Sequence, residues 1–402
     1  MSSLASSANY NLAYKLETTF GEVPVGTPKS LRNTGSDLKY DVTSESSKEI
    51  NATSQVRDRI HVGADASGSV NLELSYQEYD ELIAGVLRST YNTFGTAGVK
   101  ALTMTIAKTA GTITDDGVDG FAGLVAGQWI LLTTTLNTGV YRISTRTDDV
   151  LTIDASTPLV VDEAGVAGTV SSTRISNGVL ALPTFAIEKQ FTDVAQYFMH
   201  LGQAPSKLDL DFTSGSIVTG SIGFIGKNAV RAAATAFAAS PSASNAFGMM
   251  NAVTGVGVTA GAGAIIVRDS GGSSIVANTF LTSLKFSVDN KTRGQKALGV
   301  LGNAAVAPGT FEISGTIEAY LADGGLYDAA LSNETVSITF PAVDADLNGY
   351  AITLAHVKLD VSDPAIGGMD TDVMVTIPFT AIAPDTSVDR MLTIDRFGVA
   401  IV

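Results

Sequence analysis

The sequence contains no cysteine and only three histidines among its 402 residues. Without cysteine the chain can form no disulfide, no thiolate metal site and no cysteine nucleophile, and the redox state of its compartment stays undetermined. The histidines, His61, His200 and His356, lie in separate segments without an i, i+4 partner. Their spacing indicates neither a zinc site nor a catalytic triad, so each is expected to be an ordinary surface or interface residue.

Long apolar runs and basic charge are also scarce. No run approaches the roughly 20 apolar residues that span a bilayer, and the start "MSSLASSANYNLAYK" lacks the pattern of a secretion signal, so we expect cytoplasmic synthesis and no membrane contact. Lysine and arginine total 25 against 40 aspartates and glutamates, which gives a net charge of −15. An acidic surface repels phosphate backbones, although solubility alone also accounts for the acidity.

What the sequence does contain is typical of a β protein. Apolar residues make up 45% of the chain and glycine occurs 40 times, which favours closely turning strands. The length exceeds what one hydrophobic core usually holds, so two or three domains are expected.

One strand and helix pattern occurs twice. "GSVNLELSYQEYDELIAGVL" from Gly68 alternates apolar and polar residues and then changes to helical spacing from Tyr79, which predicts a half-buried strand followed by a short helix. "GTIEAYLADGGLYDAAL" from Gly315 repeats both periods, with the helix around Tyr327.

Three further matches keep the same order. "LKYDV" resembles "LKFSV", "KLDL" resembles "KLDV", and "SIGFIG" resembles "TIPFTA"; these begin at Leu38 and Leu284, Lys207 and Lys358, and Ser221 and Thr376. Four ordered matches indicate an internal duplication. The first copy is longer between its helix and "KLDL", which indicates an insertion.

The expected organisation follows from these matches. It comprises an extended N-terminal arm (1–34), a first module (35–91 and 179–229), an inserted small β domain (92–178), an Ala/Ser/Gly-rich connector with a strand at 265–267 (230–279), and a second module (280–402). The insertion alternates steadily and turns at "LNTG" and "RTDD". The fold class is therefore mainly β, with two sandwich or barrel modules, each carrying a short helix, plus the inserted domain.

The segment "EKQFTDVAQYFMHLGQAPS" predicts one more helix. Phe191, Val194, Ala195 and Phe198 have helical spacing, and Gly202 provides a stop.

The segment "DADLNG" begins like a calcium-binding EF-hand loop. Oxygen donors stand at Asp344, Asp346 and Asn348, with Gly349 at the sharp turn. The twelfth position, which requires glutamate, is Ala355, and strands flank the segment, so a hairpin turn is the better interpretation.

Two glycine-containing motifs resemble nucleotide-binding loops only in part. "FIGKN" around Gly226 has Ser221 in place of the required glycine and Asn228 in place of the hydroxyl residue. "GVGVTA" from Gly255 lacks a βαβ context and is interpreted as a flexible loop.

The recurring pairs Tyr79–Asp80 and Tyr327–Asp328 suit a structural role, with tyrosine packing and aspartate in the first helical turn. We predict no catalytic, cofactor-binding or metal-ligating residue.

Four segments together carry a family resemblance: "ETTFGEVPVGTPKSLRNTGSDL", "NLELSYQEYDELIAGVL", "FAIEKQFTDVAQYFMHLGQAPSKLDLDFTSGSIVTGSIGFIGKN" and "LTSLKFSVDNKTRGQKALGVLGN". They resemble the tail tube proteins of long-tailed bacteriophages. The resemblance covers most of the chain apart from about 92–178.

The resemblance implies a structural virion protein, made in the host cytoplasm and located in the virion tail, that forms rings stacked into a tube. It implies as partners the tape measure, tail terminator and distal tail proteins, and double-stranded DNA that passes without specific binding. Because two modules in one chain replace two subunits, we expect a ring of three chains with pseudo-sixfold symmetry, and the insertion on the outside.

Two other classes stay open at this stage. A surface adhesion protein with repeated β modules would normally carry a secretion signal. A tail-associated carbohydrate hydrolase would need paired carboxylates, which the sequence supplies without indicating which pair faces a cleft.

Overall fold

The computed structural model of the protein describes residues 4–50, 52–53, 55–251, 265–275, 281–321, 324–361, 363–364, 369, 372–385 and 390–398. In these ranges the chain forms mainly β-strands with two short α-helices, so the prediction of a mainly β protein is confirmed. Neither helix in the described ranges is long and apolar enough to cross a membrane.

Elements are numbered in chain order. Up to residue 93 they are a 3-10 helix (Ser7–Asn9), β1 (Tyr10–Leu16), β2 (Lys29–Ser30), β3 (Gly35–Ser36), β4 (Lys39–Ser46), β5 (Arg59–Glu73), α1 (Asp80–Leu87) and β6 (Asn92–Thr93). From there to residue 176 they are β7 (Val99–Ala107), β8 (Thr112–Asp115), β9 (Trp129–Thr133), β10 (Gly139–Arg146), β11 (Val150–Ile153), β12 (Glu163–Ser171) and β13 (Thr173–Ser176).

The remaining elements follow in two groups. The first is β14 (Phe185–Phe191), β15 (Gln196–Thr213), β16 (Thr219–Gly226), β17 (Asn228–Ala232) and β18 (Ile266–Arg268). The second is β19 (Leu281–Asp289), β20 (Arg293–Gln295), β21 (Ala305–Ala307), β22 (Glu312–Tyr320), α2 (Gly325–Leu331), β23 (Thr335–Val343), β24 (Gly349–Leu359), β25 (Met374–Ala381) and β26 (Thr393–Phe397).

Eight strands lie side by side in the order β4, β5, β16, β15, β19, β22, β25, β24, and every neighbouring pair is antiparallel. We call this array the eight-stranded sheet. Alternate side chains on one of its faces, such as Val70, Ile222, Leu208, Phe286 and Ile317, are buried in the main hydrophobic core. The other face is polar.

The two inner strands of each half repeat one strand register. Val70 of β5 pairs with Ile222 of β16, and at the matching sequence positions Ile317 of β22 pairs with Ile377 of β25.

Two of the sequence matches are offset by two residues in the structure: Asp289, not Ser287, takes the place of Asp41 in the outer strand, and Asp360, not Lys358, takes the place of Lys207.

Gly68, which begins the first repeated segment, has a φ of +143°, and a Cβ there would lie 2.6 Å from the Leu38 Cα. The glycine therefore allows the chain before β4 to approach β5 closely.

A second layer of strands covers the apolar face. It contains β1, β14, the first half of β15 and β17, and then β18, β23, the first half of β24 and β26. The main core fills the space between the layers together with α1 and α2. Part of the predicted N-terminal arm belongs here, because β1 pairs with β14 and buries Leu12 and Tyr14.

Strands β7 to β12 close into a separate six-stranded barrel. Its interior is an independent hydrophobic core that contains Met104, Phe121, Ile130, Tyr141 and Leu151. The barrel contacts the second layer on the side away from the eight-stranded sheet, through Trp129, Leu131 and Val140 against Ile266, Val343, Leu347, Ala351 and Phe397.

Several local predictions are confirmed. The two helices form α1 and α2, the strand at 265–267 is β18 shifted by one residue, and "LNTG", "RTDD" and "DADLNG" each connect two antiparallel strands.

The helix predicted around residues 188–202 is wrong. This segment forms the β14–β15 hairpin, in which Phe191 pairs with Gln196 and Ala195 takes a φ of +49°. Phe191 and Phe198 share a helical spacing, but a tight hairpin also brings them together, with ring centroids 6.0 Å apart. Pairing of β14 with β1 and β15 overrides the local pattern.

Candidate functional site

The polar face of the eight-stranded sheet forms a concave surface. It encloses an open volume of about 840 Å³ across β5, β16, β15, β19, β22 and β25. Asn71, Asp209, Asp211, Lys285 and Thr316 are among the side chains that line it. Its backbone groups are already paired within the sheet, so the surface presents mainly side chains, and the five named here are polar or charged.

Charged residues reach this face from both strands and loops. Asp360 lines it, and Lys291 and Lys296 reach its carboxylates, at 2.8 Å from Glu312 and 2.5 Å from Asp65. The strands themselves contribute eight acidic and four basic side chains. These charged residues are Lys39, Asp41, Asp65, Glu73, Lys207, Asp209, Asp211, Lys285, Asp289, Glu312, Glu318 and Lys358. Three of the lysines form ion pairs on the face itself: Lys39 with Asp41 at 2.6 Å, Lys207 with Asp209 at 2.9 Å, and Lys285 with Asp211 at 3.1 Å.

The fourth lysine, Lys358, donates to the Asn333 carbonyl oxygen at 2.5 Å. These four lysines are therefore already engaged. Lys291 and Lys296 are also paired, so these lysines are occupied by carboxylates or a carbonyl oxygen, and the carboxylates that remain in excess among the described residues disfavour binding of a polyanion.

Within the described ranges the sheet has two edges without a further strand partner. β4 pairs along its length only with β5, and Leu359 and Asp360 pair only with β25, where the Asp360 N–H donates to the Pro378 carbonyl oxygen at 2.9 Å. Unpaired strand edges readily accept another strand. At the middle of the sheet, the equivalent edges are already joined, with Lys207 of β15 opposite Asp289 of β19.

The two halves also meet between α1 and the second layer. Asp80, in the first turn of α1, is buried and forms an ion pair with Arg396 of β26. It also accepts hydrogen bonds from the Tyr350 hydroxyl at 2.5 Å and the Tyr91 hydroxyl at 3.2 Å. Burial opposes the charge on Arg396, but Asp80 raises its pKa above the ordinary value.

A second charged cluster fixes the barrel. Asp154 follows β11 and accepts two hydrogen bonds from Arg268 of β18, at 2.6 and 2.8 Å, and one from Arg142 at 2.9 Å. Nearby, Arg174 makes two hydrogen bonds with Asp395, which is completely buried and also accepts from the Trp129 backbone N–H. The barrel is thereby held by charged hydrogen bonds as well as apolar packing.

The residues of the segment "DADLNG" stabilise the turn between β23 and β24. The Asp344 carboxylate accepts from the backbone N–H groups of Asp346 and Asn348, each at 2.9 Å, and from the Asn348 side chain. Gly349 begins β24, and Ala355 lies within the same strand. In the described residues no cluster of three or more His, Asp or Glu side chains could hold a metal ion.

The phosphate-loop candidate is also structural. Gly226 ends β16 and Asn228 begins β17, so no helix follows the motif. Lys227 between them donates to the Phe20 carbonyl oxygen and lies over the Phe20 ring. Ser221 sits within β16, and the loop from Gly255 lies outside the described residues.

The recurring Tyr–Asp pairs differ in their surroundings. Tyr79 is buried and donates its hydroxyl hydrogen to the Arg32 carbonyl oxygen, next to the engaged Asp80. Tyr327 donates to Asp363 at 3.4 Å, and Asp328 is exposed. Helix position was predictable from sequence; the partners of Asp80 were not, because Arg396 is 316 residues away.

The prediction of a surface or interface position is wrong for His200, which lies buried in β15 with its Nδ1 unpaired. Burial, assisted by the charge of Lys189, lowers the pKa of His200 to about 4. His61 is exposed and contacts Ser44, and His356 is half-buried in β24. The three imidazoles lie on separate elements.

Among the described carboxyl groups, Asp395 has a raised pKa, a property that a general acid would share. Burial raises the pKa of Asp395 against the opposing effect of Arg174. Because its side chain is completely buried and bound by Arg174, it cannot reach a carbohydrate substrate.

The sheet, its open edges and the acidic concave face are consistent with the protein family to which the sequence is similar. The model of a family described as "phage tail tube protein" matches residues 7–381. No curated protein sequence matches the chain. Since the family match covers most of the chain, the protein belongs to the phage tail tube protein family and has a structural role in the virion tail.

Proposed function

We propose that three copies of this chain close into a ring, and that rings stack into the tube through which the genome leaves the virion. The observation that carries the proposal is the repeated register within one sheet: Val70 opposite Ile222, and Ile317 opposite Ile377. Each half supplies four strands in the same order, so the second half occupies the place of a neighbouring subunit.

The organisation proposed is that predicted from the sequence. The first module comprises 35–91 and 179–229, the second 280–402, with 92–178 inserted into the first and 230–279 connecting the two. The equivalent pairings of β17 with β15 and of β26 with β24 support it, because both modules close their second layer with the same strand.

Sheet closure gives the tube a usable width. Three sheets of eight strands would make a barrel of about 24 strands; at about 4.8 Å spacing and a tilt of about 40°, its backbone circle is about 48 Å across. A layer of side chains about 5 Å deep leaves a channel of about 35–40 Å, enough for a DNA duplex. Closure also pairs both open edges.

The polar face becomes the channel wall in this arrangement. Its carboxylate excess and paired lysines would keep DNA from binding as it passes. The barrel, which contacts the second layer through Trp129, would lie outside the tube. We further propose the tape measure protein inside the growing tube, with tail terminator and distal tail proteins at its ends, after synthesis in the host cytoplasm. Nothing in the described part of the chain favours the adhesion or hydrolase alternatives.

The internal junction predicts the register between chains. Asp289 pairs with Glu312 as Asp41 pairs with Asp65 in the first half, and Lys207 pairs with Gly223. The counterpart of Gly223 is Pro378, whose carbonyl oxygen binds the Asp360 N–H. The contact between Lys207 and Asp289 therefore translates into Asp360 of one chain opposite Asp41 of the next.

A cysteine test of this register has no background, because the chain contains no cysteine. Cross-strand neighbours have Cβ atoms about 4.5–5.5 Å apart, so a short bifunctional thiol reagent should link Asp41→Cys to Asp360→Cys in assembled tubes. A denaturing gel should show covalent dimers and trimers and nothing larger. The single-cysteine variants and the misplaced pair of Asp41→Cys with Ser287→Cys serve as controls. A ladder that continues to six chains, or no product, would contradict the three-chain ring.

A further inference from the structure

The internal junction of the eight-stranded sheet joins opposite charges. Lys207 of β15 lies directly opposite Asp289 of β19. On its other side Asp289 lies opposite Glu312 of β22, and Lys291 binds both carboxylates, at 3.3 and 2.8 Å. Two lysines therefore accompany two carboxylates in this row, and the junction between the two halves is electrically balanced.

The corresponding row between two chains of the proposed ring contains like charges. Asp360 of one chain takes the place of Lys207. Asp41 of the next chain takes the place of Asp289, and Asp65 lies on its other side. Asp360 and Asp41 are both exposed in the single chain. Closure of the ring therefore brings three carboxylates into neighbouring positions on three strands.

The lysines beside this row are already occupied. Lys39 binds Asp41 at 2.6 Å and Lys296 binds Asp65 at 2.5 Å. Asp360 adds a third carboxylate to these two ion pairs, so the row carries a net negative charge. Like charges directly opposite each other in an antiparallel strand pair are destabilising.

The same two edges carry apolar side chains that favour contact. Val361, directly after Asp360, corresponds to Leu208; Val361 is 50% exposed, whereas Leu208 is completely buried in the main core. Val42, directly after Asp41, is 40% exposed. Burial of these side chains and pairing of the backbone favour closure between chains, and the opposed carboxylates disfavour it.

We propose that the repulsion between Asp360 of one chain and Asp41 of the next restrains assembly, because it raises the concentration at which free chains close into rings. The partner is a second copy of this chain, and the balanced junction of Lys207 with Asp289 is the reference for the effect. Unpaired strand edges promote uncontrolled association, and charge on an edge is one way in which proteins prevent it. This inference rests on the proposed ring.

Asp360→Lys tests the inference, since it gives the row between chains the charges of the internal row. At neutral pH and low salt, the critical concentration for tube formation, measured by sedimentation, should fall about tenfold, and Asp360→Asn should lower it by less. Adding Asp41→Lys to Asp360→Lys places two lysines opposite each other and should raise the critical concentration again. Asp148→Lys on the barrel changes the net charge equally and should leave it within about twofold of the parent value.

Salt provides a readout that a purely steric role of Asp360 would not change. Because ions screen exposed charges, added salt should narrow the difference between the parent chain and Asp360→Lys. An unchanged or higher critical concentration for Asp360→Lys, a difference that salt does not narrow, or a double variant that assembles as readily as the single one would overturn the repulsion, even where the Asp41–Asp360 cysteine ladder ends at the trimer. Absence of that ladder would overturn the ring itself, and this inference with it.

Discussion

Asp154→Asn should loosen the barrel from the second layer. The Asp154 carboxylate is 8% exposed and binds Arg268 and Arg142, whose side chains are 21% and 17% exposed. Removing one partner of a buried ion pair costs about 3–5 kcal/mol, and the partial exposure of these arginines reduces our expected value to about 2–3 kcal/mol. The loss is large because two guanidinium groups are left with one fewer acceptor.

The pH of the assay follows from the pKa of Asp154. Burial by itself would raise this pKa, but hydrogen bonds from Arg268 and Ser156 outweigh it and hold the pKa well below its usual range. With a folded pKa below the unfolded value of about 4, the contribution is present in full above that value and is lost as the pH falls through the folded pKa. Measurement at pH 7 therefore captures the whole effect.

The single tryptophan reports on this junction. Trp129 is completely buried between the barrel and the second layer, so its emission shifts to longer wavelength when the two separate. In urea, Asp154→Asn should show this shift at lower denaturant than the parent protein. Asp148→Asn, which removes an exposed partner of Arg146, is the control and should cost less than about 1 kcal/mol. An Asp154→Asn curve within about 0.5 kcal/mol of the parent would refute the reasoning.

Burial lowers the pKa of His200 to about 4, so between pH 6.5 and 4 the unfolded chain binds a proton that the folded chain excludes. As the pH is lowered through this range, the free energy of unfolding should fall by about 1.4 kcal/mol per pH unit because of His200. An equally steep pH dependence in His200→Asn would contradict this. Gly68→Ala should cost about 2 kcal/mol or more in urea unfolding, while Gly63→Ala in the same strand, where a Cβ meets nothing within 4 Å, should be neutral or stabilising; equal stabilities would refute the close approach. Tubes carrying Asp209→Lys should retain DNA at low salt and release it as salt rises, unlike tubes with Asp148→Lys on the barrel; identical retention would argue against a channel wall at Asp209.

Sequence patterns predicted the elements whose periodicity is set locally. The strand from Gly68 and the helix from Tyr79 form because one face of each is apolar, and the "DADLNG" turn forms because Asp344 satisfies its own loop. The same reasoning failed for the β14–β15 hairpin, where pairing with β1 decides the structure and a helical spacing arises from the turn.

The long-range organisation of the fold could be predicted from the sequence only in part. The repeated segments predicted duplication, but the junction of Lys207 with Asp289 depends on strand order, which periodicity does not encode. The engagement of Asp80 by Arg396 likewise links distant segments. The repeated Tyr–Asp pair drew attention to Asp80 in the sequence, but no sequence pattern indicated Arg396 as its partner.

Electron cryomicroscopy of tubes assembled from the purified chain tests the central claim most directly. We predict rings of three chains with pseudo-sixfold symmetry, an inner wall formed by the acidic face of the eight-stranded sheet, and the barrel of β7 to β12 outside. Rings of six chains, or a barrel inside the channel, would contradict it.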